Sequence, residues 1–244
     1  MSTDTTVQNW ESLIKVIETY ISSPRKEKLI NMYEQLAERI MTAPASAHTE
    51  RHNCFPGGYL DHVLRVIDIS SGLYEFWKKT HADVSTFTFE ELIFSALNHD
   101  LGKIGSKEGD YYIPNDSQWH RDRGQIYKMN PNIQFMKVPD RSLFLLQQFG
   151  IEYSENEYLA IKLHDGLYGK GNESYLMAGS ADLYLKSDMP ILLHHADHLA
   201  TLVESSQQKK AGKPEVVNVK TTTKKVNDPV VDNNLKNMFD ELFK

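Results

Sequence analysis

Four ionisable residues, each within or at the end of an apolar helical stretch, could together hold a metal ion. They are His62, His99, Asp100 and Asp197. An aspartate inside an apolar helix, such as Asp197, is costly to bury unless it is paired or bound to a metal. Two imidazoles and two carboxylates form a nitrogen and oxygen ligand set, which favours Mn²⁺ or Mg²⁺ and is compatible with Fe, Ni²⁺, Co²⁺ or Zn²⁺. We therefore expect a site for a divalent ion.

Each of these residues also has a simpler explanation when it is taken alone. The His99-Asp100 pair is compatible with a polar helix end. A single histidine on an apolar helix face, such as His62, is more often a hydrogen-bonded core residue than a ligand. Lys103 follows the pair closely and can place a positive charge beside whatever a metal holds. The metal hypothesis therefore depends on the whole set.

The residues around this set predict a mainly helical chain. Apolar side chains recur at helical spacing over residues 7–22, 25–43, 62–79, 141–149 and 185–205. Thr88 with Glu91, and Ser154 with Glu157, have the spacing of capping boxes and predict the starts of two further helices. The first of these helices leads to His99-Asp100.

Composition bounds the class of protein. A chain of 244 residues suits one domain with appendages, or at most two small domains. The single cysteine, Cys54, excludes a disulfide framework and favours a reducing, cytoplasmic setting. We find no signal peptide and no apolar run of roughly 20 residues, so no membrane association is expected. A net charge of −6 argues mildly against wholesale binding to a nucleic acid backbone.

Three sequence motifs carry a resemblance to a known family. They are Gly57-Gly58-Tyr59-Leu60-Asp61-His62, His99-Asp100-Leu101-Gly102-Lys103, and Leu193-His194-His195-Ala196-Asp197-His198-Leu199. In this order they resemble the HD-domain superfamily of metal-dependent phosphohydrolases, over roughly residues 50–205. The first and last motifs are especially similar to the HD domain of certain bacterial 3′-to-5′ exoribonucleases.

The resemblance implies an all-α HD-domain helical bundle with a central metal site. It implies that His62, His99, Asp100 and Asp197 bind the first metal, with Asp100 able to bridge to a second ion. Lys103 is then a phosphate-stabilising cation, and the catalytic set is Asp100, Lys103 and His164.

The second metal of dinuclear members is less well matched. The segment containing His164 is similar to the one that supplies that metal, but Asp140 stands where a histidine is expected, and His120 is a distant substitute. The second-metal candidates are therefore His164, His120 and Asp140. Either His52 or His164 is a candidate for protonating the leaving group.

The same resemblance, together with a shift in composition near residue 207, predicts the organisation of the chain. Residues 1–48 are expected to form N-terminal helices that pack on the core, and residues 49–206 the phosphohydrolase domain. Residues 207–244 read as a basic flexible linker followed by a short amphipathic helix at 233–244, which could dock on a protein partner or fold back on the body.

A long insertion at residues 105–140 is rich in Gly, Asp, Asn, Pro and Tyr, which is typical of a lid or substrate loop. A solvated excursion is an equally good explanation for any one of its residues. The substrate-binding candidates are His52 and, in this insertion, Arg121, Arg123, Tyr127 and Lys128. Such side chains can stack on a base and pair with phosphate.

Three functions follow from these expectations. The first is hydrolysis of a phosphoester or phosphoanhydride of a nucleotide or related small phosphate compound by a metal-activated water. The second is a 3′-to-5′ nuclease acting on single-stranded nucleic acid, which the basic tail and the nearest motifs suggest. The third is a non-catalytic helical scaffold that recruits a partner through the C-terminal peptide.

Overall fold

The described residues of the computed structural model, 3–80, 83–177 and 184–211, are mainly helical, which confirms the all-α class for them. The helices are α1 (Thr3–Tyr20), α2 (Arg25–Gln35), α3 (Ala37–Thr42), α4 (Gly58–Lys79), α5 (Phe89–Asn98), α6 (Gln118–Arg121), α7 (Val138–Gln148), α8 (Glu155–Leu163), α9 (Glu173–Leu176) and α10 (Met189–Ala211). Short 3-10 turns follow α5 at Leu101–Ile104 and α8 at Gly166–Tyr168. The predicted linker and terminal helix beyond residue 211 lie outside the described residues.

The two predicted capping boxes are present. The hydroxyl of Thr88 accepts a hydrogen bond from the Glu91 backbone N–H at 3.1 Å, and the Glu91 carboxylate accepts one from the Thr88 N–H at 2.8 Å. Ser154 and Glu157 exchange the same pair of bonds at the start of α8. Each box satisfies backbone donors that a helix start leaves unpaired.

The N-terminal helices share one hydrophobic core with the rest of the bundle. Trp10, Leu13 and Ile17 of α1 are buried in the same apolar cluster as residues of α4, α5 and α10. The helix predicted over residues 25–43 is two helices in the structure. The chain leaves helical geometry at Leu36, where φ is −103° and ψ is 5°.

Helix α4 is central to the packing that positions the site. It packs against α10, α5 and α1, and α8 packs against both α10 and α5. The apolar face of α4 is buried through Leu60, Val63 and Val66, so His62 on the same side of the helix is buried as well. The ends of α5 and α8 and the middle of α10 therefore meet at one end of this core.

The 105–140 segment forms a small ribbon against the loop that precedes α4. Strand β1 (Tyr112–Pro114) pairs in antiparallel fashion with β2 (Tyr127–Met129), with the short helix α6 between them. The Tyr127 N–H donates to the Ala47 carbonyl at 3.1 Å, and the Thr49 N–H donates to the Gly124 carbonyl at 2.8 Å. This predicted loop therefore has backbone hydrogen bonds of its own and is anchored at its tip.

Across the three described ranges, every helix falls short of the length and apolar content that spanning a bilayer requires.

Candidate metal centre

His62 is fixed from one side by a buried carboxylate and faces the candidate centre with its other nitrogen. Its Nδ1 donates to Glu204, whose carboxylate oxygens lie 3.1 and 3.2 Å away. Its Nε2 lies 3.1 Å from Asp197 Oδ1 and 3.5 Å from Asp100 Oδ2. A histidine held at Nδ1 by a carboxylate is the usual arrangement of a metal ligand that binds through Nε2.

His99 and Asp100 lie in the turn that ends α5. The His99 Nδ1 donates to the Ala96 carbonyl at 2.8 Å, so its Nε2 points to the centre, 3.4 Å from His62 Nε2. His99 Nε2 is also 3.5 Å from Asp100 Oδ2. Adjacent helical residues would diverge, but the chain passes from α5 into a 3-10 turn at this point, which lets both side chains reach one place.

The turn that carries this pair is held closely against α7. The Ser142 hydroxyl accepts a hydrogen bond from the Gly102 N–H at 2.8 Å, and it lies 3.0 Å from the His99 carbonyl, to which it donates. A Cβ on Gly102 would come within 2.2 Å of the Val138 carbonyl oxygen. Only glycine therefore permits this close approach of the turn to α7.

His164 approaches Asp100 from the opposite side. Its Nδ1 donates to the Ile161 carbonyl at 2.8 Å, and its Nε2 lies 3.6 Å from Asp100 Oδ1 and 3.7 Å from Asp165 Oδ1. Asp100 thus directs Oδ2 toward His62 and His99, and Oδ1 toward His164. A carboxylate whose two oxygens face different histidines has the geometry to bridge two ions.

The orientation of the three histidines fits a metal. In each of them Nδ1 is occupied by an acceptor, and the Nε2 atoms all face Asp100. Among the described residues, three groups of ligand atoms lie close enough to hold an ion, and one of them is His52, His62 and Glu204. The two at the candidate centre are His62, His99 and Asp100, and His164, Asp165 and Asp197. The chemistry of both groups, imidazole with carboxylate, suits a divalent cation.

Electrostatics around the ligands are strong because the groups are buried together. Burial lowers the pKa of His62, but hydrogen bonds to Asp197 and Glu204 outweigh burial and raise that pKa to about 10. Burial raises the pKa of Asp100, yet Lys103 and His99 together hold it well below its usual range. The Lys103 ammonium lies 2.6 Å from Asp100 Oδ2, and this carboxylate raises the lysine pKa against the effect of burial.

His52 also lies beside the centre. Its ring centroid is 4.8 Å from that of His62, and its Nε2 is buried without a hydrogen-bond partner in the described part of the chain. Burial and then the charges of Lys103 and His62 lower its pKa to about 3. His52 is therefore neutral at physiological pH and offers an uncommitted nitrogen to a ligand.

Glu204 was not anticipated from the sequence. Its side chain is fully buried, and besides His62 it accepts from Arg65 Nε at 3.1 Å. Arg65 also contacts Asp61 at 3.3 Å, and Asp61 accepts from the Asn53 amide at 2.8 Å. The spacing in the sequence could have indicated it, because residues 197 and 204 are two helical turns apart and therefore share a face of α10. Asp165 and His194, which also border the centre, were missed as well.

The sequence-predicted substrate residues Arg121 and Arg123 are engaged within the 105–140 segment. Arg121 donates to the Asn115 carbonyl. The Arg123 guanidinium lies 3.7 Å from the centre of the Trp119 ring, as a cation-π contact. Neither arginine borders the cavity above the metal centre.

Two further candidates of that segment have similar local partners. Lys128 Nζ lies 2.6 Å from Asp116, and Tyr127 lies in β2, anchored to Ala47. Neither of them borders the cavity.

The remaining second-metal candidates lie apart from the ligand groups. His120 is exposed on α6 with its ring centroid 4.8 Å from that of Trp119. Asp140 forms an ion pair with Lys162. Of the three candidates, only His164 therefore contacts Asp100.

A cavity of about 640 Å³ opens above the centre. Its floor includes His52, Asp100, Lys103, His164, Asp165 and Asp197. Three lysines, Lys137, Lys162 and Lys170, and the aromatic residues Phe135, Tyr168 and Tyr175 border the same space. Its volume lies in the range of small-molecule sites.

Comparison with known proteins finds no matching family model, no matching curated protein and no matching solved structure. The function is therefore inferred from the geometry of the site and from the chemistry of its residues.

Proposed function

We propose that the chain is an HD-type metal-dependent phosphohydrolase that cleaves a phosphoester or phosphoanhydride of a nucleotide or related small phosphate compound. One observation supports this most strongly. Three histidines with occupied Nδ1 atoms direct Nε2 at the two oxygens of Asp100, on the floor of a cavity bordered by lysines. Of these residues Asp100 and His164 border the cavity, and a purely structural network would not need to expose them there.

In this proposal His62, His99, Asp100 and Asp197 hold the first divalent ion. When bound, such an ion lowers the pKa of a water molecule and neutralises phosphate charge. The protein contributes the geometry: Glu204 and the Ala96 carbonyl accept from Nδ1 of His62 and His99 and thereby direct Nε2 of each ring inward. Mn²⁺ and Mg²⁺ are the favoured ions, because half of the ligands are carboxylates.

Lys103 and His164 act on the substrate rather than on the first ion. Lys103 keeps its positive charge beside Asp100, where it can offset charge on a phosphate oxygen during the reaction. His164 faces the cavity from the other side of Asp100. It is placed either to give a proton to the leaving group or to share a second ion with Asp165 and Asp197.

The test is hydrolysis of a nucleotide panel with added Mn²⁺, with products identified by mass spectrometry. Asp100→Ala should abolish release of phosphate or nucleoside and should lower the metal content measured by elemental analysis. Asp68→Ala is the matched control, because Asp68 is an exposed aspartate on α4, away from the site. A protein that binds no divalent ion, and in which Asp100→Ala changes only stability, would contradict the proposal.

The two alternatives predicted from the sequence remain predictions. A labelled single-stranded oligonucleotide in the same panel tests the nuclease, which should shorten it with a steep dependence on salt. The scaffold hypothesis depends on residues 233–244 and is tested by recovery of partners with and without that peptide.

A further inference from the structure

Tyr168 lies at the rim of the cavity, and its backbone is anchored by the turn that follows α8. The turn starts at Gly166, whose φ is +55°, and the Tyr168 N–H donates to the Asp165 carbonyl at 3.1 Å. The Asn172 amide donates to the Gly166 carbonyl at 2.9 Å. A Cβ on Gly166 would lie 2.3 Å from the His194 ring, so the turn is packed directly on α10.

The ring of Tyr168 is nevertheless exposed. Tyr168 is 81% exposed, the largest value among the exposed apolar and aromatic residues of the described chain. Its ring lies nearly parallel to that of His198, with an interplanar angle of 22° and centroids 6.0 Å apart. An aromatic ring that has an anchored backbone, is backed by a second ring and is open on its remaining surface is suited to stacking on a planar ligand.

The chemistry next to Tyr168 limits what that ligand can be. Asp165, three residues earlier, belongs to the group of ligand atoms beside Asp197, and all three residues border one cavity. Lys170, two residues later, borders it too. A molecule that reaches from Tyr168 to the metal centre therefore has a flat ring at one end and a phosphate at the other.

We propose that Tyr168 is the platform on which the nucleobase of the substrate stacks, and that the substrate class is a nucleoside phosphate. This inference rests on the proposed phosphohydrolase function, because the phosphate is placed at the metal centre. It adds a base subsite formed by Tyr168 with His198 behind it. It also assigns base recognition to the turn after α8, and not to Arg121, Arg123, Tyr127 or Lys128 of the 105–140 segment.

The experiment compares AMP, GMP, CMP and UMP with ribose 5-phosphate and O-phosphotyrosine, each with Mn²⁺. Stacking of one base on an aromatic side chain is worth roughly a fivefold to hundredfold change in binding. Tyr168→Ala should therefore lower the ratio of kcat/KM for AMP to that for ribose 5-phosphate by about tenfold. Tyr168→Phe, which keeps the ring, should restore most of the ratio.

Tyr184→Ala is the matched control, since Tyr184 is also exposed but does not border the cavity. Its ratio of kcat/KM for AMP to that for ribose 5-phosphate should equal that of the unaltered protein. An AMP to ribose 5-phosphate ratio that Tyr168→Ala leaves unaltered would overturn the base subsite while phosphohydrolase activity stands. Preference for O-phosphotyrosine or ribose 5-phosphate over all four nucleotides would do the same.

A binding measurement separates failure of the subsite from failure of the phosphohydrolase function. Saturation-transfer NMR with AMP and the metal-free protein should show transfer to the base protons, which Tyr168→Ala reduces and Tyr184→Ala does not. Such transfer without hydrolysis of any compound supports the subsite and contradicts the phosphohydrolase. Absence of transfer in the unaltered protein overturns the subsite, whether or not hydrolysis is seen.

Discussion

The carboxylate of Glu204 lies 3.1 Å from His62 Nδ1, on the far side of the ring from Asp197, which lies 3.1 Å from Nε2. Both acidic residues belong to α10 and are two turns apart. One helix thus supplies a candidate ligand and also the group that orients another ligand. Their relative positions are set by the rigidity of α10 rather than by a loop.

Glu204→Ala should weaken metal binding by about 10- to 100-fold, because it removes the acceptor that orients His62. Glu204→Gln should have a smaller effect, since its amide oxygen can still accept from Nδ1. Isothermal titration with Mn²⁺ and the visible spectrum of the Co²⁺ protein measure this directly. Glu18→Ala, at an exposed position of α1, is the control. Equal affinity in all four proteins would show that Glu204 has no orienting role.

Lys103→Met should lower kcat by about 10²- to 10³-fold, the usual cost of losing one group that stabilises transition-state charge. Metal content should change little, because Lys103 contacts the candidate ligand Asp100 through its charge and does not itself donate an electron pair. Steady-state kinetics on the best substrate, with metal analysis of the same samples, test both points. Lys107→Met, at an exposed lysine four residues later in the chain, should behave as the unaltered protein. Loss of metal in step with activity would assign Lys103 to the metal site instead.

Burial raises the pKa of the Cys54 thiol to about 11. The thiol should therefore react slowly with iodoacetamide at pH 8 to 9 in the folded protein and rapidly in urea, because only the thiolate attacks. The rate for folded protein should keep rising towards pH 11. Rapid labelling of folded protein at pH 8 would contradict the raised pKa.

The same shift has a defined sign for stability. The folded-state pKa lies above the unfolded value, so the unfolded chain loses the Cys54 proton first as pH rises. The free energy of unfolding should thus carry a contribution that falls with increasing pH between about 9 and about 11. Urea titrations over this range, compared with those of Cys54→Ala, isolate that contribution.

Gly166→Ala should destabilise the protein by about 1–3 kcal/mol, because a side chain is strained at φ +55° and its Cβ would collide with His194. Gly72→Ala is an informative contrast. Gly72 lies in α4, and a Cβ added there would have no neighbour within 4 Å in the described part of the chain, so alanine should stabilise by about 0.5–1 kcal/mol. Thermal and urea unfolding of both variants measure the difference. Equal effects would show that the turn before Tyr168 adapts.

The features that sequence predicted best are those with local causes. The capping boxes at Thr88 and Ser154 depend on residues three positions apart, and helical periodicity placed His62 and Asp197 on buried or partly buried helix faces. The approach of these residues to His99 and Asp100 depends on packing between helices. The family resemblance, rather than periodicity, suggested that approach.

Other features escaped prediction for physical reasons. The strands β1 and β2 have three residues each, too few to show an alternating pattern. Glu204 is next to exposed Val203, and its burial is caused by contacts with His62 and Arg65 on another helix. Arg121 and Arg123 have side chains that bind phosphate well, but their partners are neighbours in the same segment. Side-chain chemistry alone did not show that those side chains were already engaged.

The hydroxyl of Ser142 links the metal-site turn to the cavity border, two regions whose sequences could otherwise change independently. It joins the turn that carries His99 and Asp100 to α7, which begins where the cavity-bordering residues 135–139 enter the helix. If residues 135–139 were replaced to admit a different substrate, α7 would shift. The geometry of the candidate ligands would then shift with it. A redesign of residues 135–139 should therefore keep Ser142 and its spacing from those residues on α7. Natural variants that change substrate are constrained in the same way.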